Sequence, residues 1–237
     1  MSQTRTEQFV VIGAGGTASH LIHSLVQYTL GYGIIHVWDA DVVEQKNLKR
    51  QLFYPHEVGT HKAEAFYKRW PDSIVPHIEY VGENNIEQVI KNDDTVLICA
   101  DNMAVRRLIN ERAKQLDTVA VINGGNEEIS GSVQVYWRVG GDNITPPLDF
   151  ASPEFDPSND MVDRSTLSCA EIAVLPGGEQ TIVANQTVAA LMMAALWRTD
   201  DGMYTSPDKT WTKITFDHET GQVQTSDVRM LKGALDD

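Results

Sequence analysis

With 237 residues, 42% of them apolar and 22% charged, the chain is long enough to bury the core of one large α/β domain or two small ones. Its net charge of −14 argues against non-specific binding to a phosphate backbone, so no nucleic-acid partner is expected. No apolar run approaches the ~18 residues of a membrane helix, the polar opening MSQTRTEQ does not read as a secretory signal, and the two cysteines, Cys99 and Cys169, cannot build a four-cysteine zinc site. Together these predict a reduced, cytoplasmic protein with no membrane partner and no zinc.

In chain order, residues 8–12 (QFVVI) read as a short buried strand stopped by glycines. Residues 17–30 have helical spacing, with Leu21, Leu25 and Val26 on one face, and Gly31 and Gly33 end the helix. Residues 34–38 (IIHVW) are a second strand, ending at Asp39. Strand, glycine turn, helix and strand make a βαβ unit with parallel strands. Residues 62–69 predict a helix stopped by Pro71, 74–81 a strand, 86–91 a short helix and 95–100 (TVLICA) a strand buried on both faces. A helix over 104–116 carries Arg106 and Arg107, a strand follows at 119–123, and 132–138 (SVQVYWR) alternates like an antiparallel strand. Residues 140–165 hold Pro146, Pro147, Pro153 and Pro157 without periodicity and predict a mobile crossover loop. An apolar helix resumes over 180–197, and 210–216 with 222–225 bracket a hairpin turn at His218–Gly221. The expected architecture is α/β: a Rossmann-like, mainly parallel sheet in a single domain over residues 1–237, extended by antiparallel strands in its C-terminal half.

The glycine turn Gly13-Ala14-Gly15-Gly16-Thr17-Ala18 matches a dinucleotide fingerprint, with Asp39 at about the expected ~20 residues beyond it. Its glycines let phosphate oxygens approach backbone N–H groups at the positive end of a helix, and Asp39 would accept hydrogen bonds from a ribose. This much fits a nicotinamide or flavin enzyme equally well.

Later residues change that balance. Arg50 and Lys62 place two cations just after the ribose-binding strand end, where a departing β,γ-phosphate needs them and a dinucleotide does not. Asn47 adds a hydrogen-bonding group. Asp101, at the end of the TVLICA strand, lies where α/β folds carry ligand-binding residues and suits Mg²⁺ held with phosphate oxygens and water. The plain alternatives are a solvated charged surface for Arg50 and Lys62, and a helix N-cap for Asp101.

These segments resemble a known family. DADVVEQKNLKRQLF followed by EVGTHKAEAF is similar to the adenylyltransferase superfamily of ubiquitin-activating enzymes, which includes the ThiF and MoeB activators of thiamin and molybdopterin biosynthesis. ADNMAVRRLIN resembles the family's aspartate-containing stretch, and LSCAEIAVLPGG the region after its crossover loop. The match covers most of residues 8–198, and the short length resembles ThiF-like proteins encoded on plasmids and phages. The resemblance implies ATP and Mg²⁺ as cofactors. It also implies attack of a carboxylate on the α-phosphate, release of pyrophosphate and an acyl-adenylate product. The carboxylate is often the C-terminal glycine of a ubiquitin-like or sulfur-carrier protein, and a small carboxylate is the other option. By the same resemblance the glycines Gly13, Gly15 and Gly16 with Asp39 hold the nucleotide, and Asn47, Arg50 and Lys62 contact its phosphates. Asp101 engages the metal and triphosphate, and Gln51, Asp41 and Asn102 support the nucleotide. The family's structural zinc cysteines are absent. Arg5 is the only arginine ahead of the first strand, where the family has a helix that can lend an arginine to a dimer partner.

Cys169 follows the proline-rich segment, where a family cysteine can accept an acyl group or sulfur; a thiolate near a helix start or cation would be nucleophilic, and a small buried residue is the alternative. Cys99 reads as core, and His56 and His61 show no ligand spacing. The apolar stretches at 119–122 and 189–196 exceed one core's need and predict a homodimer. Beside an active adenylyltransferase stands a second reading, a catalytically weak ThiF-like protein that binds nucleotide or a partner tail as a structural ligand.

Overall fold

A computed structural model of the chain describes residues 7–150, 152–156, 180–203 and 211–227. In strand β1 (Glu7–Ile12) successive side chains enter two different apolar clusters, Phe9 and Val11 one, Val10 and Ile12 the other. A strand buried on both faces belongs mid-sheet under two helical layers. β1 accordingly pairs in parallel with β2 (Gly33–Trp38) on one side and β4 (Asp94–Ile98) on the other. β3 (Ile74–His77) extends the sheet beyond β2, and β5 (Val119–Asn126) beyond β4, both parallel. The direction then changes: β6 (Ser130–Val139) runs antiparallel to β5, and the hairpin β8 (Lys213–Asp217) and β9 (Gln222–Ser226) continues antiparallel from β6, with the two-residue β7 (Asp142–Asn143) beside it. The spatial order is β3-β2-β1-β4-β5-β6-β8-β9.

One layer holds α1 (Gly16–Thr29), α2 (Lys62–Arg69) and α5 (Ile182–Asp200), whose Leu21, Leu25, Phe66, Val188 and Met192 pack on Phe9 and Val11. The other holds α3 (Ile86–Val89) and α4 (Met103–Lys114), whose Ile86, Val89, Ile109 and Ala113 pack on Val10 and Ile12. Between β1 and β4 the connections leave in opposite directions, which opens a crevice at the carboxyl ends of both strands. Everything relevant to the site gathers there.

Most of the expected elements are present within a few residues, and the expected Rossmann-like sheet with its antiparallel extension is the observed one. The third strand stops at His77 instead of reaching residue 81, because its partner β2 ends at Trp38 and leaves no ladder to pair with. The third helix stops at Val89: Ile90 turns extended and Asp93 takes a positive φ of 69° to start β4. Residues 119–122 are buried inside the sheet and contribute no surface, whereas α5 exposes Ile182, Val183 and Trp197. In the described part of the segment 140–165, Leu148 N–H donates to Asn110 Oδ1 at 2.9 Å, and Arg107 Nε to the Phe155 carbonyl at 2.9 Å. Its remainder, and Cys169, lie outside the described residues. No helix among the described residues is long and apolar enough to cross a membrane.

Candidate active site

The turn between β1 and α1 can be built only from glycine at two points. Gly13 has a φ of +90°, and a Cβ there would stand 2.8 Å from the Ala100 backbone nitrogen at the end of β4. A Cβ on Gly16 would overlap the Asn185 side chain at 2.5 Å. The tight turn brings the α1 N-terminus, which has no side-chain cap, to the mouth of the crevice. Such an end offers free backbone N–H groups and a positive dipole to an anion.

Asp39, one residue past β2, is locked across this turn. Its Oδ2 accepts from Ala14 N–H at 2.6 Å and its Oδ1 from Asp41 N–H at 2.7 Å. Burial to 7% exposure pushes the carboxyl above the ordinary aspartate range, with the Lys62 charge and the backbone donors acting against it. Asp41 differs. Burial alone would raise it, yet hydrogen bonds from Lys62 and Tyr80 and the Lys62 charge outweigh burial and hold it below the ordinary range. Lys62 Nζ meets Asp41 Oδ2 at 2.8 Å, and the Tyr80 hydroxyl donates to Oδ1. α2 begins at Lys62 itself, and the Lys62 N–H donates to the Asp41 carbonyl, so backbone and side chain fix the pair together.

The segment between them is a 3₁₀ turn (Gln45–Lys49) closed by Asn47. Asn47 Oδ1 accepts from Glu44 N–H at 2.8 Å, which leaves its amide NH₂ as the group it can offer a ligand. Arg50 ends the turn. Its Nη1 donates to Gln180 Oε1 at 3.1 Å, and its carbonyl accepts from Asn185 Nδ2 at 3.1 Å. Gln51 is buried beneath the glycine turn, its Nε2 4.0 Å from where a Cβ on Gly15 would lie; its Oε1 has no partner among the described residues. Ser19 ties the two segments, since its Oγ donates to the Gly16 carbonyl and accepts from Leu52 N–H at 2.9 Å.

On the other lip, Asp101 is exposed just past β4. The cap of α4 is Asn102, whose Oδ1 accepts from Ala104 N–H at 2.8 Å and Val105 N–H at 3.3 Å. Asp101 is therefore not the N-cap; it stands exposed after β4, at the sheet end where the crevice opens. Among the described residues no three metal-ligating side chains converge. A Mg²⁺ ion bound chiefly by phosphates and water needs only one or two protein carboxylates, and a single exposed aspartate fits that requirement. Burial pushes the Cys99 thiol up to about 12 despite the nearby Arg106 charge, in keeping with a core role.

Sequence reasoning passes over Arg106. Its Nε and Nη2 donate to the Ala100 carbonyl at 3.0 and 2.8 Å, and Nη2 also reaches the Gly124 carbonyl at 2.8 Å. It therefore staples the ends of β4 and β5 and sets a guanidinium beside the crevice. Its position on the inner face of α4 is the only signal in the sequence. The glycine turn, Asp39, the Asp41–Lys62 pair, Asn47, Arg50, Gln51 and Asp101 thus gather at one end of one sheet; direct bonds join Asp39 to Ala14 and Asp41, Asp41 to Lys62, and the Asn47 carbonyl to the Arg50 and Gln51 N–H groups, while Asp101 follows β4 on the other lip.

Residues 1–229 match the ThiF family. Over 193 residues the chain is 30% identical to the SAMP-activating enzyme E1 of Haloferax volcanii, covering 79% of this chain and 68% of that protein. Over 158 residues it is 33% identical to the adenylyltransferase and sulfurtransferase UBA4 of Yarrowia lipolytica, covering 61% of this chain but only 39% of the relative. Among solved structures, E. coli MccB with succinimide superimposes with a TM-score of 0.71 at 18% identity, covering 95% of this chain and 65% of MccB. The chain therefore spans less than half of UBA4 and under two thirds of MccB. With almost its whole length matched, and with the crevice built as described, the chain belongs to the ThiF family.

Proposed function

We propose that this chain is an ATP- and Mg²⁺-dependent adenylyltransferase that activates the C-terminal glycine carboxylate of a ubiquitin-like or sulfur-carrier protein. The observation that carries the reading is the Arg50 and Lys62 pair beside the glycine turn and Asp39, on one sheet end. The names of its relatives support it: an E1 that activates SAMP, and an adenylyltransferase and sulfurtransferase. MccB has been crystallised with ATP and with MccA.

In this reading the triphosphate lies along the N–H groups of the glycine turn, and the ribose hydroxyls bond to Asp39. A carboxylate oxygen of the partner attacks the α-phosphorus. The bond from that phosphorus to the bridging oxygen of the β-phosphate breaks, and its electron pair leaves with pyrophosphate. Charge grows on the departing group, and Arg50 and Lys62 oppose it with donors already in place. Asp41 keeps Lys62 extended toward the crevice, while Asn47 and Gln51 bound the phosphate path. Mg²⁺, held by Asp101 and the phosphates, would neutralise phosphate charge. Cys169 is the candidate acceptor of the acyl group from the adenylate.

The test is ATP–pyrophosphate exchange with purified protein, Mg²⁺ and a small protein ending in glycine. Exchange that depends on this partner is the expected result. ATP binding without exchange for any carboxylate would assign the chain to the second reading, a nucleotide-binding protein without turnover. Cys169→Ala should retain exchange, because adenylation precedes transfer to sulfur.

A further inference from the structure

Asn185, on the first turn of α5, is fully buried and belongs to none of the nucleotide segments. Its Nδ2 donates to the Arg50 carbonyl at 3.1 Å, and its Oδ1 accepts from Asn126 Nδ2 at 2.8 Å. Asn126, at the end of β5, also accepts from Thr17 Oγ1 of α1 at 3.4 Å. The nitrogen, oxygen and carbon of the Asn185 amide all lie 2.5–2.6 Å from the place a Cβ on Gly16 would take. One amide therefore touches the phosphate turn, the Arg50 segment and the end of β5. Gln180, just before the same helix, holds the Arg50 guanidinium.

We propose that Asn185 is a positioning residue that sets the distance between the phosphate turn and Arg50, so that both meet the same triphosphate. This rests on the reading that ATP phosphates occupy that turn. The chemistry at the position is narrow. The residue must donate toward the Arg50 carbonyl and accept from Asn126 at once, and it must be thin enough to lie flat on Gly16. Aspartate keeps the shape and the acceptor but turns an oxygen toward a carbonyl oxygen. A small apolar residue leaves both the carbonyl and the Asn126 amide unpaired. Either change frees the Arg50 backbone to drift, and a displacement near 1 Å costs up to ~10²-fold in a site that depends on alignment. The ribose end, anchored by Asp39 to Ala14, has no bond to Asn185.

The experiment compares ATP–Mg²⁺ and adenosine binding to the full chain, by calorimetry and ligand-observed NMR. It uses the parent, Asn185→Asp, Asn185→Ala should the aspartate variant not fold, and Leu196→Ala as a packing control about three turns along the same helix. The expected result is an ATP affinity weakened by ~10-fold or more in the Asn185 variant. Adenosine affinity stays unchanged there, and both ligands bind Leu196→Ala as they bind the parent. Equal weakening of ATP and adenosine would show a merely structural role and overturn the proposal, as would unchanged ATP affinity. A parent that binds ATP but shows no pyrophosphate exchange defeats adenylyl transfer and leaves the role of Asn185 standing. A parent that binds no ATP overturns both.

Discussion

Lys62 and Asp41 form a 2.8 Å ion pair in which the ammonium end is almost buried while the carboxylate is about a third exposed. The cation is therefore shielded from solvent, and its charge acts on the neighbouring Asp39 as well. Removing it takes away a preplaced donor, and Lys62→Ala should lower adenylation by ~10²–10³-fold, the scale for one lost electrostatic donor. The stranded Asp41 should cost about 1–3 kcal/mol of stability. Pyrophosphate exchange and urea denaturation on the same preparation check both; a variant with the parent's rate removes Lys62 from the reaction.

Arg50 predicts a difference between nucleotides. The parent should bind ATP and not NAD, and Arg50→Ala should weaken ATP binding and slow exchange by ~10²–10³-fold. Calorimetry decides this, since tight NAD binding with no ATP signal would turn the glycine turn back into a dinucleotide site.

Gly13→Ala should damage folding before chemistry. A side chain at a φ of +90° costs roughly 1–3 kcal/mol, and the added methyl would stand 2.8 Å from the Ala100 nitrogen. A lowered melting temperature with reduced ATP binding is expected, while Gly140→Ala, at a positive φ with nothing near its Cβ, should pay only the backbone cost.

The opposite face of β2 and β3 predicts a pH response. His36 Nδ1 and His77 Nε2 lie 2.9 Å apart, His36 Nε2 meets Gln8 Oε1 at 2.8 Å, and His77 stacks on Trp38. Burial lowers the pKa of both rings, assisted by Lys91 at His36 and by His36 at His77, with Glu79 opposing at His77. Such rings bind protons more readily when unfolded, so the folded state loses stability as pH falls through the unfolded value of about 6.5. Melting temperature should drop from pH 7 to pH 5, and His36→Gln with His77→Gln should flatten that slope.

The exposed Ile182, Val183 and Trp197 on α5 predict self-association. Light scattering should give a homodimer, and Trp197→Glu should shift it toward monomer; a monomeric parent at high concentration would exclude the interface.

Much of this architecture is legible in the residues. The runs QFVVI and TVLICA cannot be half-exposed, so their central place in a parallel sheet follows from burial alone. Asp39, Arg50 and Lys62 stand out because charged groups follow strand ends at short spacing. Other parts resist reading. Nothing in IVPHIEYV says that pairing stops at His77, since that depends on where β2 ends. Asn185 sits in an apolar helix, and its partners Arg50, Asn126 and Gly16 are distant in sequence. Arg106 falls on the inner face of α4 by its spacing, yet nothing in the sequence says that the carbonyls of Ala100 and Gly124 receive it. Long-range contacts of single polar groups leave no periodic trace.

The bonds from Gln180 and Asn185 to Arg50 also impose an order on biogenesis. The glycine turn, Asp39, Lys62 and Asp101 all leave the ribosome before α5, and the parallel half of the sheet has its strands in hand by then. Arg50 gains these two anchors only when α5 docks. A nascent or truncated chain would thus carry every nucleotide-binding segment while lacking the geometry to use them, and ATP competence would arrive as one of the final events of folding.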